Sequence, residues 1–164
     1  MNAWSKLAVS TFLLAATLGA GVAAEDWSRY LNARYSYGID IPPGFSRVRE
    51  ANNGDGGVSR SADGQAKLAV WGANLLFDTL PSDAQSRMLR AEEEGWQITY
   101  KKFASQWASW SGEREGRIFY ARAIALCYDD QAGYFQIEYP ADQREAFDPA
   151  VERMVKGFKR ADCS

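Results

Sequence analysis

Histidine is absent from this chain, and cysteine occurs only at Cys127 and Cys163. The first absence removes Ser-His-Asp and Cys-His nucleophile sites and histidine-based zinc sites, because each needs an imidazole as base or ligand. The two cysteines lie too far apart in sequence to form a CxxC redox or metal pair. The glycines never fall into a GxGxxG or P-loop pattern, so no phosphate cradle is indicated. Concentrated basic charge is missing as well. Nineteen Lys and Arg stand against 21 Asp and Glu, a formal charge of −2, and the pair Lys101-Lys102 is too small to count as a patch. Nucleic acid is excluded as a partner on these grounds. Glu92-Glu93-Glu94 reads as a solvated helix face.

Long apolar runs are confined to the start of the chain. Lys6 precedes the run Leu7–Ala20, and Val22-Ala23-Ala24 offers the small residues a signal peptidase reads. Residues 1–24 are therefore expected to be a secretory signal peptide cleaved before Glu25. The run is shorter than the roughly 20 apolar residues that span a bilayer, and no later run reaches that length. Residues 25–164 then form one domain, which is exported to the periplasm or beyond. In an oxidising compartment a Cys127–Cys163 disulfide is the leading reading, with two free thiols as the alternative.

The exported part reads as alternating strands and two helices. Tyr35, Tyr37, Ile39 and Ile41 alternate with Ser36, Gly38 and Asp40, and Pro42-Pro43-Gly44 stops that strand. Asn52–Gly57 is a turn by composition. Val58–Ala62 and Gln65–Trp71 flank Asp63-Gly64, the pattern of a type I′ hairpin turn. Leu68 and Val70 face one way, and Lys67, Ala69 and Trp71 the other. A helix is expected from an N-cap at Ser82, with Gln85 completing a capping box, to a stop at Gly95. A meander follows: Trp96–Lys101, Trp107–Glu113, then Arg117–Tyr128.

Arg117–Tyr128 is the segment on which the rest is organised. One face carries Ile118, Tyr120, Ile124 and Leu126, interrupted by Arg122; the other carries Phe119, Ala121, Ala123, Ala125 and Cys127. With neither face polar, this is a central strand covered on both sides. Tyr134–Tyr139 is the last strand, with Tyr134, Gln136 and Glu138 on a face that sees water. Asp148-Pro149 then reads as an N-cap and first helical residue, and Val151, Met154, Val155 and Phe158 give an amphipathic stripe ending near Arg160. The alanine face of the central strand is the surface expected beneath that stripe. The assembly is α+β: an antiparallel sheet of about six strands with helices packed on it.

Tyr35-Ser36-Tyr37-Gly38-Ile39-Asp40-Ile41-Pro42-Pro43-Gly44-Phe45 resembles the opening of the PsbP/Mog-like superfamily, where an aromatic-glycine strand runs into a proline-glycine-aromatic turn. Ser61–Ala66, followed by a strand, a helix, a long meander and a closing helix, is similar to exported bacterial members. The resemblance implies an α/β/α sandwich around an antiparallel sheet. It also implies an accessory role without catalysis, as in a lumenal photosystem subunit and a Ran-binding factor. It carries over no functional residue.

No cofactor and no metal site is indicated. Asn53, Asp55 and Asp129-Asp130 lack the repeated acidic positions of a calcium loop, and Glu113, Glu115 and Glu138 show no spacing that sets a catalytic pair apart from a solvated rim. The compositional excess is aromatic. Trp71, Trp107, Trp110 and Tyr134, with Tyr120 and Tyr128, either fill the layers or line a binding face. Trp107 and Trp110 lie three apart and so point to opposite sides of a strand. The expectation is an exported, non-enzymatic interaction protein with a partner in the cell envelope. The alternative is a small-ligand or glycan binder that uses exposed aromatics.

Overall fold

The computed structural model describes residues 26–163, so the expected leader at 1–24 lies outside the described residues. Seven antiparallel strands form the main sheet. In chain order they are β3 (Arg49–Glu50), β4 (Gly56–Arg60), β5 (Lys67–Asn74), β6 (Gln97–Ala104), β7 (Trp107–Arg114), β8 (Arg117–Ala125) and β9 (Gln131–Pro140), arranged in space as β3-β4-β5-β9-β8-β7-β6. A smaller sheet of β1 (Ser28–Asn32), β2 (Tyr37–Ile41) and β10 (Lys159–Arg160) has the order β1-β2-β10. Helix α1 (Leu80–Glu93) lies on one side of the main sheet, and α2 (Arg144–Gly157) with the small sheet lies on the other.

Alternation along each strand divides the core in two. Leu68, Val70, Ile118, Ile124, Phe135 and Ile137 point towards β2 and α2, where Ile39, Ile41, Val151, Met154 and Phe158 meet them. Ala108, Ala121, Ala123 and Ala132 point the other way, beneath Leu80, Ala84 and Met88 of α1. The alanine row thus does bring a helix close to the sheet, but that helix is α1. Helix α2 rests on the large-residue face instead. It packs Val151 and Met154 beside β2 against the bulky rows, whereas α1 presents Ala84 to alanines.

Several local expectations are corrected. The N-cap of α1 is Thr79, whose Oγ1 accepts the Ser82 N–H at 3.3 Å, with Pro81 inside the first turn. The helix ends as expected at Gly95, whose φ is +90°: its N–H reaches Glu92 O, and the Trp96 N–H reaches Ala91 O. That bond pair closes the last carbonyls, and glycine is the residue that adopts the conformation without strain. Helix α2 starts four residues before the expected Asp148, so Pro149 sits inside it. A 3-10 turn at Ala141–Gln143 leads directly into α2 and starts the helix ahead of the proline.

The Asp63-Gly64 hairpin forms, but only Gly64 has positive φ, at +71°. The Gly64 N–H donates to Ser61 O, and the Asp63 carboxylate accepts from Ser61 Oγ and the Gln65 N–H, which makes a type I turn closed by glycine. The two-residue turn with both φ values positive is Glu115-Gly116, between β7 and β8. Finally, β9 lies between β5 and β8, and its Tyr134 is 1% exposed. That residue was expected on a wet face. Pairing on both edges, with α1 above, buries it.

The disulfide Cys127–Cys163 is present, with the Cα atoms 5.4 Å apart. It ties the segment after β10 to the loop after β8. It does not join the end of α2 to the alanine face, because β10 carries the chain away to pair with β2. Among the described residues no helix is long and apolar enough to cross a membrane.

Candidate functional site

Helix α1 packs over β6, β7 and β8. Towards β5 its core takes in Ala132 and Tyr134 of β9, with Trp71, Ala73 and Leu75 packed against them, and no other described element covers the rest of that face of β3, β4, β5 and β9. Register shows what lies there. Arg49 pairs with Val58, Val58 with Ala69 and Ala69 with Gln136; Arg60 pairs with Lys67 and Lys67 with Glu138. Directly paired residues project to the same face. Val58, Ala69, Trp71 and Gln136 are half-buried, while Arg49, Arg60 and Lys67 are exposed.

At the boundary with α1 the face deepens into a pocket of about 160 Å³, lined by Trp71, Trp96, Trp110, Arg87, Arg90 and Gln136 among others. Trp71 stacks on Tyr134 with ring centroids 5.4 Å apart and an interplanar angle of 13°. The Arg87 guanidinium lies 4.1 Å over the other ring's centroid, that of Tyr134, and Arg114 lies 4.5 Å from the Trp96 ring. Aromatic side chains flanked by arginine planes gain from both burial and cation–π attraction.

Asp83 anchors this arrangement. It is 1% exposed and accepts the Tyr134 hydroxyl at 2.7 Å, the Arg87 Nε–H at 2.7 Å and the Leu76 N–H at 2.9 Å. Burial works against its charge, but these three donors outweigh that effect and hold its pKa below the ordinary carboxylate value. The Tyr134 phenol moves the other way, raised by burial and by the Asp83 carboxylate that accepts its proton. One residue therefore fixes α1, the middle of β9 and the loop between β5 and α1.

The four aromatics singled out from sequence separate accordingly. Trp71 is half-buried at the rim of the pocket. Trp110 (3% exposed) belongs to its floor, and Tyr134 (1% exposed) is core beneath Trp71; neither offers a free ring face. Trp107 is on the opposite side of the sheet. There the Arg122 guanidinium covers its ring at 4.5 Å while Nη1 donates to Ser109 Oγ at 2.9 Å. Arg122 has no carboxylate among its described partners; an aromatic ring and a hydroxyl hold it on the large-residue face. Tyr120 and Tyr128 are half-buried and 70% exposed, respectively.

The cations were missed. Arg49, Arg60, Lys67 and Arg90 enter no ion pair within 4 Å among the described residues, whereas Glu138 is held by Arg117. The placement of Lys67, Ala69 and Trp71 on one strand face was readable. Register across the hairpin, which adds Arg60 and Arg49, was not. Glu113 is bound by Arg144, and the Asn52–Gly57 turn is held by Asn53–Asp55 hydrogen bonds and by Arg34, 2.9 Å from Asp55. Among the described residues no group of three or more acidic or cysteine side chains could hold a metal ion.

No protein-family model matches the chain, and no curated protein matches it either. Solved structures do. The cyanobacterial PsbP (CyanoP) of Synechocystis matches with a TM-score of 0.57 at 15% identity, covering 87% of this chain and 98% of that one. The Ran-binding protein Mog1p of Saccharomyces cerevisiae matches with a TM-score of 0.63 at 13% identity, covering 84% of this chain and 97% of that one. A point mutant of the Mog1 protein gives a TM-score of 0.62 at 13% identity, with the same coverage. At such identities the likeness is one of architecture: this chain has the PsbP/Mog-like fold.

Proposed function

We propose that this protein is an exported, non-enzymatic interaction module that docks an acidic protein partner over the open half of its sheet. The observation that supports this most is the uncovered face itself. It sets Trp71, Val58 and Ala69 among Arg49, Arg60, Lys67 and Arg90, on a chain whose net charge is negative. Trp and Arg are the side chains that dominate protein interfaces. A cationic face on an acidic chain steers an acidic partner to one side only.

The other features agree. Glu113 on β7 and Glu138 on β9 are each paired with an arginine. The disulfide suits an oxidising compartment, and the leader-like residues 1–24 supply the export route. A Ran-binding protein shares the fold, which lends the interaction role a precedent in kind. The glycan reading is weaker, because a pocket of about 160 Å³ falls below the roughly 300 Å³ at which small-molecule sites begin. It predicts that oligosaccharides quench Trp71 fluorescence.

The test compares the wild-type chain with an Arg60→Glu/Lys67→Glu variant as baits in gently crosslinked envelope extracts. The reading expects one acidic protein captured by the wild type and lost from the variant, with both baits equally folded by circular dichroism. Equal capture by both would overturn the choice of face.

A further inference from the structure

The main sheet ends in two unlike edges. β3 is two residues long and sits close to the β1–β2 layer, where the Tyr30 hydroxyl donates to Glu50 at 2.8 Å. β6 is eight residues long, pairs only with β7, and has six exposed residues. No turn, loop or side chain among the described residues hydrogen-bonds to the backbone of 97–104 along its outer side. At about 3.4 Å per residue that is roughly 27 Å of free edge. A register shift between Ile98 and Tyr100 disturbs its first part, which leaves Tyr100–Ala104 as a regular stretch.

An unpaired edge of this length is a template for another strand unless something opposes pairing. Here Lys101 and Lys102 oppose one kind of partner and favour another. Register sets Lys101 with Trp110 on the α1 side and Lys102 with Ser109 on the opposite side. Exposed rings flank both, Tyr100 at 45% and Phe103 at 36%. A second copy of this chain, pairing antiparallel about a two-fold axis, sets the residue on the axis opposite itself. Centred on Lys102, the middle of the regular stretch, that places two ammonium groups face to face, and like charges directly opposite destabilise a pair. No acidic side chain occurs in Gln97–Ala104 to relieve them.

We infer that the β6 edge is a second docking site, which takes an extended acidic segment of a partner protein as an added strand. Backbone hydrogen bonds supply the binding, and adjacent carboxylates on the segment meet Lys101 on one face and Lys102 on the other. This site is at the far edge of the sheet from Arg49 and does not depend on the open face.

The tail of the chain provides the test. Cys163 and Gln106 line one cavity, which sets the last described residue beside the turn that follows β6. An eight-residue segment of threonine and valine with two central glutamates, fused after Ser164 by a Gly/Ser linker of about ten residues, would reach the edge and run antiparallel to it. At the millimolar effective concentration of such a tether even weak pairing registers. Amide hydrogen exchange within 97–104 should slow at least tenfold with the glutamate segment and not with its lysine counterpart. Lys101→Glu/Lys102→Glu should reverse that preference. Three results would overturn the inference: no slowing, equal slowing by both segments, or slowing without any segment as the untethered chain is concentrated. The last would mean that the edge pairs with its own copy.

Discussion

The two halves of the α1 face are built from the same strands-and-alternation plan and end up opposite in character. Over β7 and β8 the face presents Ala108, Ala121 and Ala123, all at most 1% exposed beneath α1. Over β4 and β5 it presents Val58, Ala69 and Trp71 among Arg60 and Lys67, and nothing lies on top. Small side chains let a helix backbone approach and bury a continuous layer. Long cationic ones lose solvation and rotamer freedom if covered, so a face that carries them stays open. Side-chain size and charge, more than strand propensity, decide where the helix stops.

The boundary between the halves is Asp83, and removing it should have the largest effect. Asp83→Ala leaves the Tyr134 hydroxyl, Arg87 and the Leu76 N–H without their acceptor, and a buried pair broken from one side costs about 3–5 kcal/mol. The denaturant midpoint should fall accordingly. The same carboxylate predicts acid sensitivity. Its folded pKa is below its unfolded value of about 3.9, so its contribution is fully present above that value and is lost as pH falls through the folded pKa. Stability measured from pH 5 downwards should therefore decline more steeply in the wild type than in Asp83→Asn.

Next in size is the disulfide. It closes a loop with a sequence separation of 36, worth about 3–4 kcal/mol on the chain-entropy model. Cys127→Ser/Cys163→Ser should lower the thermal midpoint, and so should reductant acting on the wild type. Smaller, and closer to the comparison itself, is a matched pair of enlargements. Ala123→Leu beneath α1 should cost about 1–3 kcal/mol by overpacking, whereas Ala69→Leu on the open half should stay within about 0.5 kcal/mol. Equal costs would mean that the open half is not open. The smallest stability effect is expected for Arg60→Glu/Lys67→Glu, again within about 0.5 kcal/mol, even though that variant should lose the partner.

Much of this architecture was legible in the chain. Alternation located β2 and the strands from β4 to β9 but not the two-residue β3, Gly95 stopped α1, and the two-faced apolar pattern of 117–127 marked a central strand. Errors arose where local pattern competes with long-range packing. Asp148-Pro149 looks like a helix start, yet α2 begins at Arg144 because the preceding 3-10 turn, not the proline, initiates it. Gln136 and Glu138 alternate with apolar residues as on a wet strand, and they are indeed half-exposed. Tyr134 in the same row is buried because it sits where α1 crosses and Asp83 accepts its hydroxyl. The alanine row called for a helix without saying which one, since both helices carry a suitable stripe. Of the candidate site, the shared face of Lys67, Ala69 and Trp71 was visible, together with Trp110 as a candidate aromatic. Its cationic surround is assembled by register across β3, β4 and β5, and no single-strand pattern carries that.

If the partner sits on the open half of the sheet, a photoreactive residue placed there will capture it. With a benzophenone side chain in place of Ala69, irradiation of the intact chain in cells that produce it should yield one discrete adduct to an acidic protein. The same probe at Leu89, exposed on α1, should yield none, and Arg60→Glu/Lys67→Glu in the Ala69 background should abolish the adduct. An adduct from position 89 but not from position 69, or one indifferent to the charge reversal, would contradict the account.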